Sequence, residues 1–108
     1  MELHEKHCQQ PDKDTSPLSE GEENSFLQNL SGWDIDRKDV HKIMKQFEFQ
    51  NFDESMDFVN DVAEIARRED HHPDIYINYN KVNIELSTHK INGLHENDFI
   101  LAAKIDNI

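Results

Sequence analysis

Cysteine, glycine and proline are scarce in this 108-residue sequence, which contains one, three and three of them respectively. Because Cys8 is the only cysteine, an intrachain disulfide is excluded. No apolar run approaches the roughly 18 residues that a membrane-spanning helix requires. The opening residues, MELHEKHCQQ, lack the apolar stretch that is typical of a secretory signal peptide. Together these features predict a protein of the reducing cytoplasm.

Basic residues are also few, since 11 lysines and arginines stand against 23 aspartates and glutamates, for a formal net charge of −12. The charge is spread evenly, with −6 in residues 1–40 (10 acidic, 4 basic) and −6 in residues 41–108 (13 acidic, 7 basic). An acidic chain repels the phosphates that dominate DNA affinity and the anionic surface of a membrane. We therefore expect neither nucleic acid nor membrane as a direct partner, and we assign the charge to solubility.

The residues that can form a core are concentrated after the first quarter of the chain. Of all leucines, isoleucines, valines and phenylalanines, only Leu3 and Leu18 occur in the first 25 residues. Residues 1–17 contain two prolines and show no periodicity, so we expect a loosely ordered N-terminal tail there. Residues 18–108 are predicted to form a single domain of ordinary size.

Three segments have the sequence pattern of amphipathic helices. The first covers residues 18–30, where Ser19 and Glu22 have the spacing of a capping box. The second is predicted to start at Asp53, as its N-cap, and to end near Asp70. The third is predicted to follow a histidine N-cap at position 95, with an aspartate in its first turn.

Four other segments are predicted to be strands, the longer ones because apolar and polar residues alternate with a period of two. They are residues 33–35, 41–49, 75–78 and 82–88, with a tight turn predicted at Asn80-Lys81. The order is α-β-β-α-β-β-α. Hairpins without crossover helices favour a two-layer α+β domain, with a four-stranded antiparallel sheet and three helices on one face. The other face of the sheet requires water or a partner, so we expect a homo-oligomer.

Seven histidines are an excess for a chain of this length, and four of them lie at the ends of predicted elements: His71, His72, His89 and His95. Two imidazoles can act as general acid and general base near neutral pH. Capping of backbone groups is the more ordinary role for such histidines. A metal site is the weakest of the three interpretations, because no short ligand motif such as HExxH is present. The residues by themselves leave these alternatives open.

Several motifs together resemble the pterin-4a-carbinolamine dehydratase family, and they run through Asp70-His71-His72-Pro73-Asp74, Tyr79-Asn80-Lys81-Val82, Leu86-Ser87-Thr88-His89 and Gly93-Leu94. The resemblance covers about residues 17–108. It implies an α+β fold, homodimers or homotetramers, and dehydration of 4a-hydroxytetrahydropterin to quinonoid dihydropterin. It implies no metal and no organic cofactor, and it links the protein to an aromatic amino-acid hydroxylase whose pterin is recycled.

The resemblance also implies a set of site residues, namely catalytic His71, His72 and His89 and substrate-binding Pro73, Ser87, Thr88 and Asp98. We expect His71 and His89 to include the acid and the base, and His72 to hold the pterin. Asp98 is expected to orient a histidine or to bind a pterin N–H group. The peptide groups near Thr88 are expected to bind the polar pterin edge, and Pro73 to fix the turn that presents the histidines.

One departure from the family pattern keeps other functions open. Many members carry glutamate four residues before the first histidine, where this chain has Arg67. The alternatives are a protein-interaction module, which would use the exposed parts of the helix over residues 53–70 as transcriptional coactivators of the family do, and a non-catalytic pterin binder related to molybdopterin metabolism.

Overall fold

Three helices and four strands follow one another in the predicted order in a computed structural model that describes all 108 residues. The helices are α1 (Glu20–Leu27), α2 (Phe52–Glu69) and α3 (Glu96–Asp106). The strands are β1 (Asp34–Asp36), β2 (Lys42–Glu48), β3 (Asp74–Asn78) and β4 (Lys81–Leu86). The predicted α+β class and the order α-β-β-α-β-β-α are confirmed. None of the helices combines the length and the hydropathy that crossing a membrane requires.

The sheet has the strand order β1-β2-β4-β3, and every neighbouring pair is antiparallel. Its centre is the β2–β4 pair, in which Ile43 lies opposite Leu86 and Phe47 lies opposite Val82. This register follows from the alternation of both strands, because it places their apolar side chains on the same face. The edge strand β3 joins β4 through a two-residue loop.

That loop corrects one sequence prediction, because the turn consists of Tyr79 and Asn80 and not of Asn80 and Lys81. Tyr79 has a positive φ of 53°. Lys81 is paired in the strand because the buried alternation of β4 fixes the register one residue earlier than expected. Asn80 instead anchors the loop to Phe49, whose N–H donates to the Asn80 carbonyl at 2.7 Å and whose carbonyl accepts from the Asn80 amide at 3.1 Å.

The helices cover one face of the sheet and share a single apolar core with it. Thirteen buried residues form this core: Trp33, Ile43, Phe58, Val62, Ile65, Val82, Ile84, Leu86, Leu94, Phe99, Leu101, Ala102 and Ile105. The helix α1 joins it from the side, where the rings of Phe26 and Phe99 stack with centroids 5.2 Å apart. Burial of this apolar surface supplies the main driving force for folding.

The ends of the helices show which capping predictions hold. Ser19 and Glu22 form the predicted capping box of α1, with distances of 3.2 and 2.9 Å. The prediction of Asp53 as the N-cap of α2 is wrong, because the helix begins at Phe52 and Asn51 accepts from the Glu54 N–H at 2.9 Å. Asn51 has the extended backbone that an N-cap needs, and its short side-chain oxygen reaches the third helical N–H.

The N-terminal residues lie against α2 and α3. Residues Leu3–Glu5 form one 3-10 turn, and the Leu3 side chain packs against the core. Lys104 of α3 donates to the His4 carbonyl at 2.9 Å. The division into a tail over residues 1–17 and a domain over residues 18–108 stays a prediction.

Candidate active site

A polar cleft lies where the C-terminal end of α2, the end of β4 and the start of α3 meet. Its volume is about 220 Å³. The lining residues are Gln10, Pro11, Asp70, His71, His72, Ser87, Thr88, His89, Lys90 and Asn97. Five of the seven site residues implied by the resemblance therefore face one cleft. Asp98 lies behind it, and Pro73 is not among the residues that line it.

The local sequence explains how His71 and His72 reach the cleft. Asp70 closes α2 in the left-handed conformation, with φ of 52°. The N–H groups of Asp70 and His71 both donate to the Ala66 carbonyl, which ends the helix. Pro73 disfavours helical geometry at His72, so the chain continues as an extended segment into β3. The predicted helix end near Asp70 is confirmed.

Asp98 is fully buried and accepts three hydrogen bonds. Its Oδ1 is 2.6 Å from His71 Nε2, and its Oδ2 accepts from the Thr88 hydroxyl at 2.8 Å. Oδ2 also accepts from the His95 N–H at 3.0 Å, because Asp98 is the third residue of α3 and closes its capping box. A buried carboxylate needs such donors to offset its loss of hydration.

This contact fixes the chemistry of the His71 ring. A carboxylate can only accept hydrogen bonds, so the proton of a neutral His71 lies on Nε2 and its basic nitrogen is Nδ1. The His71 side chain is 12 % exposed and lines the cleft. His71 therefore has the orientation of a histidine that can take up a proton while a carboxylate stabilises the resulting cation.

His72 and His89 line the same cleft and are both exposed. The adjacent His71 and His72 differ in burial, as expected for neighbours in an extended segment. His89 opens the 3-10 turn His89–Ile91 that follows β4. This turn ends at Asn92, which has a positive φ of 55°, so the chain reverses and reaches α3 within a few residues.

The peptide groups of Thr88 form hydrogen bonds within the turn that follows β4. The Thr88 N–H donates to the Gly93 carbonyl at 2.8 Å, and its carbonyl accepts from Ile91 at 3.2 Å. These groups hold the turn after β4 closed and are already engaged. Ser87 keeps its place in the cleft lining, while the Thr88 hydroxyl contacts Asp98.

The carboxylate beside His71 comes from α3 and not from α2. Arg67, which occupies the position of the family glutamate, is exposed and does not line the cleft. Glu69, the last residue of α2, is buried against the N-terminal segment, where Cys8 N–H donates to it at 2.8 Å. His95 acts as the predicted N-cap, since its Nδ1 accepts from the Asn97 N–H at 3.0 Å.

Sequence reasoning missed Gln10, Pro11, Lys90 and Asn97 as cleft residues. Nothing in the local pattern marks Gln10 or Pro11, because they precede the apolar periodicity. The one cluster of three close metal-ligand side chains in the structure is Glu2, His4 and Glu5, and none of these lines the cleft.

Comparison with known proteins identifies the family. The sequence profile described as Pterin 4 alpha carbinolamine dehydratase matches residues 16–108. The chain belongs to this dehydratase family. A relative from Nitrosospira multiformis, provisionally named a pterin-4-alpha-carbinolamine dehydratase, is 46 % identical over 107 residues, which cover 99 % of this chain and 92 % of the relative. A relative of the same provisional name from Halorhodospira halophila is 42 % identical over 106 residues, which cover 98 % and 96 %.

Solved structures of similar proteins share the architecture of this pterin-4-alpha-carbinolamine dehydratase family member. A transcriptional coactivator/pterin dehydratase from Brucella melitensis superposes with a TM-score of 0.80 at 34 % identity, over 85 % of this chain and 97 % of that protein. A pterin dehydratase-like protein described as a RuBisCO assembly factor in the alpha-carboxysome superposes with a TM-score of 0.61 over 71 % of this chain and 88 % of that protein. Its identity is 23 %, so this second similarity concerns the fold alone.

Proposed function

We propose that this protein eliminates water from 4a-hydroxytetrahydropterin to give quinonoid dihydropterin, as a carbon–oxygen lyase. Membership of the dehydratase family supports the reaction class. The observation that carries the proposal is the 2.6 Å contact between His71 Nε2 and a fully buried Asp98, in a cleft that two further histidines line.

The reaction requires two proton transfers. The C4a–O bond breaks and the C4a–N5 double bond forms, so N5 gives up its proton and the departing hydroxyl gains one and leaves as water. General acid–base catalysis by positioned side chains contributes about 10²- to 10⁴-fold to such steps. A pair of histidines suits this task, because one ring can be neutral while the other is protonated near neutral pH. The two transfers balance the reaction, and we propose neither a metal nor an organic cofactor.

We assign the roles as follows within this proposal. His71 removes the N5 proton at Nδ1, and Asp98 stabilises the imidazolium that forms, since its carboxylate contacts Nε2. His89 gives a proton to the departing hydroxyl from the opposite edge of the ring. His72 holds the pterin, together with Ser87 at the end of β4. Pro73 acts at a distance, by fixing the extended segment that presents the histidines.

We also propose the setting of the reaction. The pterin is recycled in the cytoplasm after an aromatic amino-acid hydroxylase has used it, and the protein works as a homodimer or homotetramer. The exposed Tyr76, Ile77 and Tyr79 support self-association, because they lie on or beside the edge strand β3. An unpaired edge with apolar side chains favours contact with another chain.

A coupled assay with enzymatically generated 4a-hydroxypterin tests the function, with metal analysis of the same preparation. We expect the His71→Ala, His89→Ala double variant to lose about 10²- to 10⁴-fold in rate above the spontaneous reaction. His41→Ala is the matched control, because His41 also contacts a buried carboxylate but does not line the cleft. Equal rates for the double variant and the unmodified protein would contradict the site assignment.

A second candidate function is binding of a helical partner protein, and the similar Brucella melitensis protein is described as a transcriptional coactivator. The supporting feature is the outer side of α2, where Phe52 is 46 % exposed and Met56 and Val59 are half-buried. Capture of a helical partner that competes with self-association would support this role. Full dehydratase turnover together with no such capture would favour the enzyme alone.

A further inference from the structure

We propose that the N-terminal segment His7–Pro11, here called the strap, forms a substrate-binding wall of the cleft and sets its affinity for the pterin. This inference rests on the proposed function, because it concerns the same cleft. The first observation is that Gln10 and Pro11 line the cleft together with the histidines. Three separate anchors hold the strap in this place, in the last turn of α2, at its C-cap and in the first turn of α3.

The first anchor is Glu69, in the last turn of α2. Its side chain is 3 % exposed, and it accepts from the Cys8 N–H at 2.8 Å and contacts His7 Nδ1 at 3.0 Å. Lys104 Nζ lies 3.8 Å from the same carboxylate. A buried carboxylate with these partners has no role in the proposed catalysis. Its position and contacts are those of a residue that holds the strap in place.

The second anchor is Asn97, which is 2 % exposed and lies in the first turn of α3. Its Oδ1 accepts from the Gln9 N–H at 2.9 Å, and its Nδ2 donates to the Gln9 carbonyl. One amide side chain therefore satisfies both backbone polar groups of one strap residue, Gln9. Burial raises the pKa of the neighbouring Cys8 thiol to about 12, with Glu69 and Asp98 adding to the rise, so Cys8 packs as a neutral group.

The third anchor is Asp70, which accepts from the Gln10 amide at its carbonyl (3.3 Å) and at Oδ2 (3.1 Å). Asp70 directly precedes His71, and Asn97 directly precedes Asp98. The strap thus bridges the two chain segments that supply the histidine–carboxylate pair. A pterin that enters the cleft meets the strap on one side and the histidines on the other.

The strap contributes polar contacts more than apolar burial. His7, Gln9 and Gln10 are exposed, and Cys8 and Pro11 are half-buried. Since the main core does not include these residues, release of the strap should leave the rest of the fold in place. Loss of the strap should therefore weaken pterin binding much more than it lowers stability.

The test is the variant Gln9→Pro in the full chain, which removes the N–H that donates to Asn97 without changing Asn97 itself. The probe is 7,8-dihydrobiopterin, a stable pterin without the 4a-hydroxyl, and its Kd is measured by calorimetry. We expect about a tenfold rise in Kd. A change of this size corresponds to the loss of one or two hydrogen bonds, here those that hold Gln9 of the strap against Asn97. The thermal unfolding midpoint should fall only slightly, because Asn97 loses one hydrogen bond while the apolar core stays intact, and the NMR signals of the Asn97 amide should move.

Two further variants make the result specific. Lys13→Pro is the proline control, because Lys13 follows Asp12 in a turn closed by the Thr15 N–H, where proline is accepted. It should bind the pterin like the unmodified protein. Gln10→Ala removes both contacts with Asp70 from an exposed side chain, and it should raise Kd by about threefold.

The outcomes separate this inference from the proposed function. Native pterin affinity in Gln9→Pro, with the Asn97 signals moved, would overturn the role of the strap even if turnover is normal. Equal weakening by Lys13→Pro would overturn it as well. Strap-dependent pterin binding in a protein without turnover would support the strap and contradict the dehydratase function.

Discussion

Glu23 and Asp98 are two fully buried carboxylates that each contact a histidine ring. The Glu23–His41 distance is 2.8 Å and the Asp98–His71 distance is 2.6 Å. Both pairs join residues far apart in sequence, and both histidines are partly exposed. Contact between a buried carboxylate and a histidine is therefore not by itself a sign of catalysis in this protein.

The remaining partners distinguish the two sites. Glu23 also accepts from Arg37 Nε at 2.9 Å, so a permanent cation balances its charge and ties α1 to the segment before β2. The other partners of Asp98 are neutral donors, the Thr88 hydroxyl and the His95 N–H. His71 is thus the one cation that Asp98 can stabilise at contact distance, and His71 lines the cleft. A buried carboxylate without a permanent counter-charge, beside an open cleft, is therefore the feature suited to proton transfer.

The largest expected effect is that of Asp98→Asn on turnover. The amide keeps the shape of the side chain but removes the charge that stabilises a His71 cation, and it presents a donor to Nε2. We expect kcat to fall on the order of 10²- to 10⁴-fold in the coupled dehydratase assay. A folded Asp98→Asn protein with native kcat would remove the distinction between the two carboxylates.

The matched variant Glu23→Gln should affect stability and not turnover. It leaves Arg37 without its counter-charge, and the Arg37 side chain is 27 % exposed, so water offsets part of the loss. We expect about 2 kcal/mol lower unfolding free energy, between the values for exposed and buried pairs. Urea unfolding measures this, and kcat per folded molecule should equal that of the unmodified protein.

Thr88→Val removes one neutral donor from Asp98 while nearly keeping the volume of the side chain. Asp98 then accepts one hydrogen bond fewer, so the carboxylate, and with it the His71 ring, is aligned less strictly. We expect kcat to fall about tenfold, which corresponds to roughly 1.4 kcal/mol. Thr88→Ser is the control, since it retains the hydroxyl, and an equal loss in Thr88→Ser would show that the methyl group matters instead.

A third buried carboxylate, Glu69, should make the stability of the protein depend on pH. Burial raises its pKa, but the hydrogen bonds from the Cys8 N–H and His7 and the charge of Lys104 outweigh this and hold the pKa below its ordinary value of 4.5. Ionised Glu69 therefore stabilises the folded protein above pH 4.5, and this contribution is lost as the pH falls through the lower folded value.

The measurement compares urea unfolding of the unmodified protein and Glu69→Gln at pH values from about 6 to about 3. We expect the unmodified protein to be the more stable at the upper end, and the difference to disappear toward the lower end. A difference that persists unchanged into acid would show that packing, and not the charge of Glu69, holds the strap.

Local patterns were enough to predict elements whose determinants lie within a few residues. The capping box of Ser19 and Glu22 and the N-cap at His95 are of this kind, because side chain and backbone partners are three residues apart or fewer. The alternation in β2 and β4 also predicted which face is buried. The errors at Asp53 and at the Tyr79–Asn80 turn are shifts of one or two residues, where a neighbouring polar residue could serve equally well.

The candidate site could be predicted in part, because its histidines stand at the ends of predicted elements and in motifs that resemble one family. Their grouping in one cleft, with Ser87 and Thr88, is a property of the fold. The pairing of His71 with Asp98 spans 27 residues, and the contact of Cys8 with Glu69 spans 61. A local sequence pattern covers only a few residues, so it cannot predict contacts between residues this far apart in the chain.

Periodicity, capping patterns and motifs within neighbouring residues were enough to predict the order of helices and strands, the buried face of the sheet and the family. Which carboxylate contacts which histidine depends on how the folded chain packs. Asp98 and Glu23 each stand in the first turn of a helix and look alike in sequence. They differ because the fold places the Arg37 cation beside Glu23, whereas His71, the partner of Asp98, lines an open cleft.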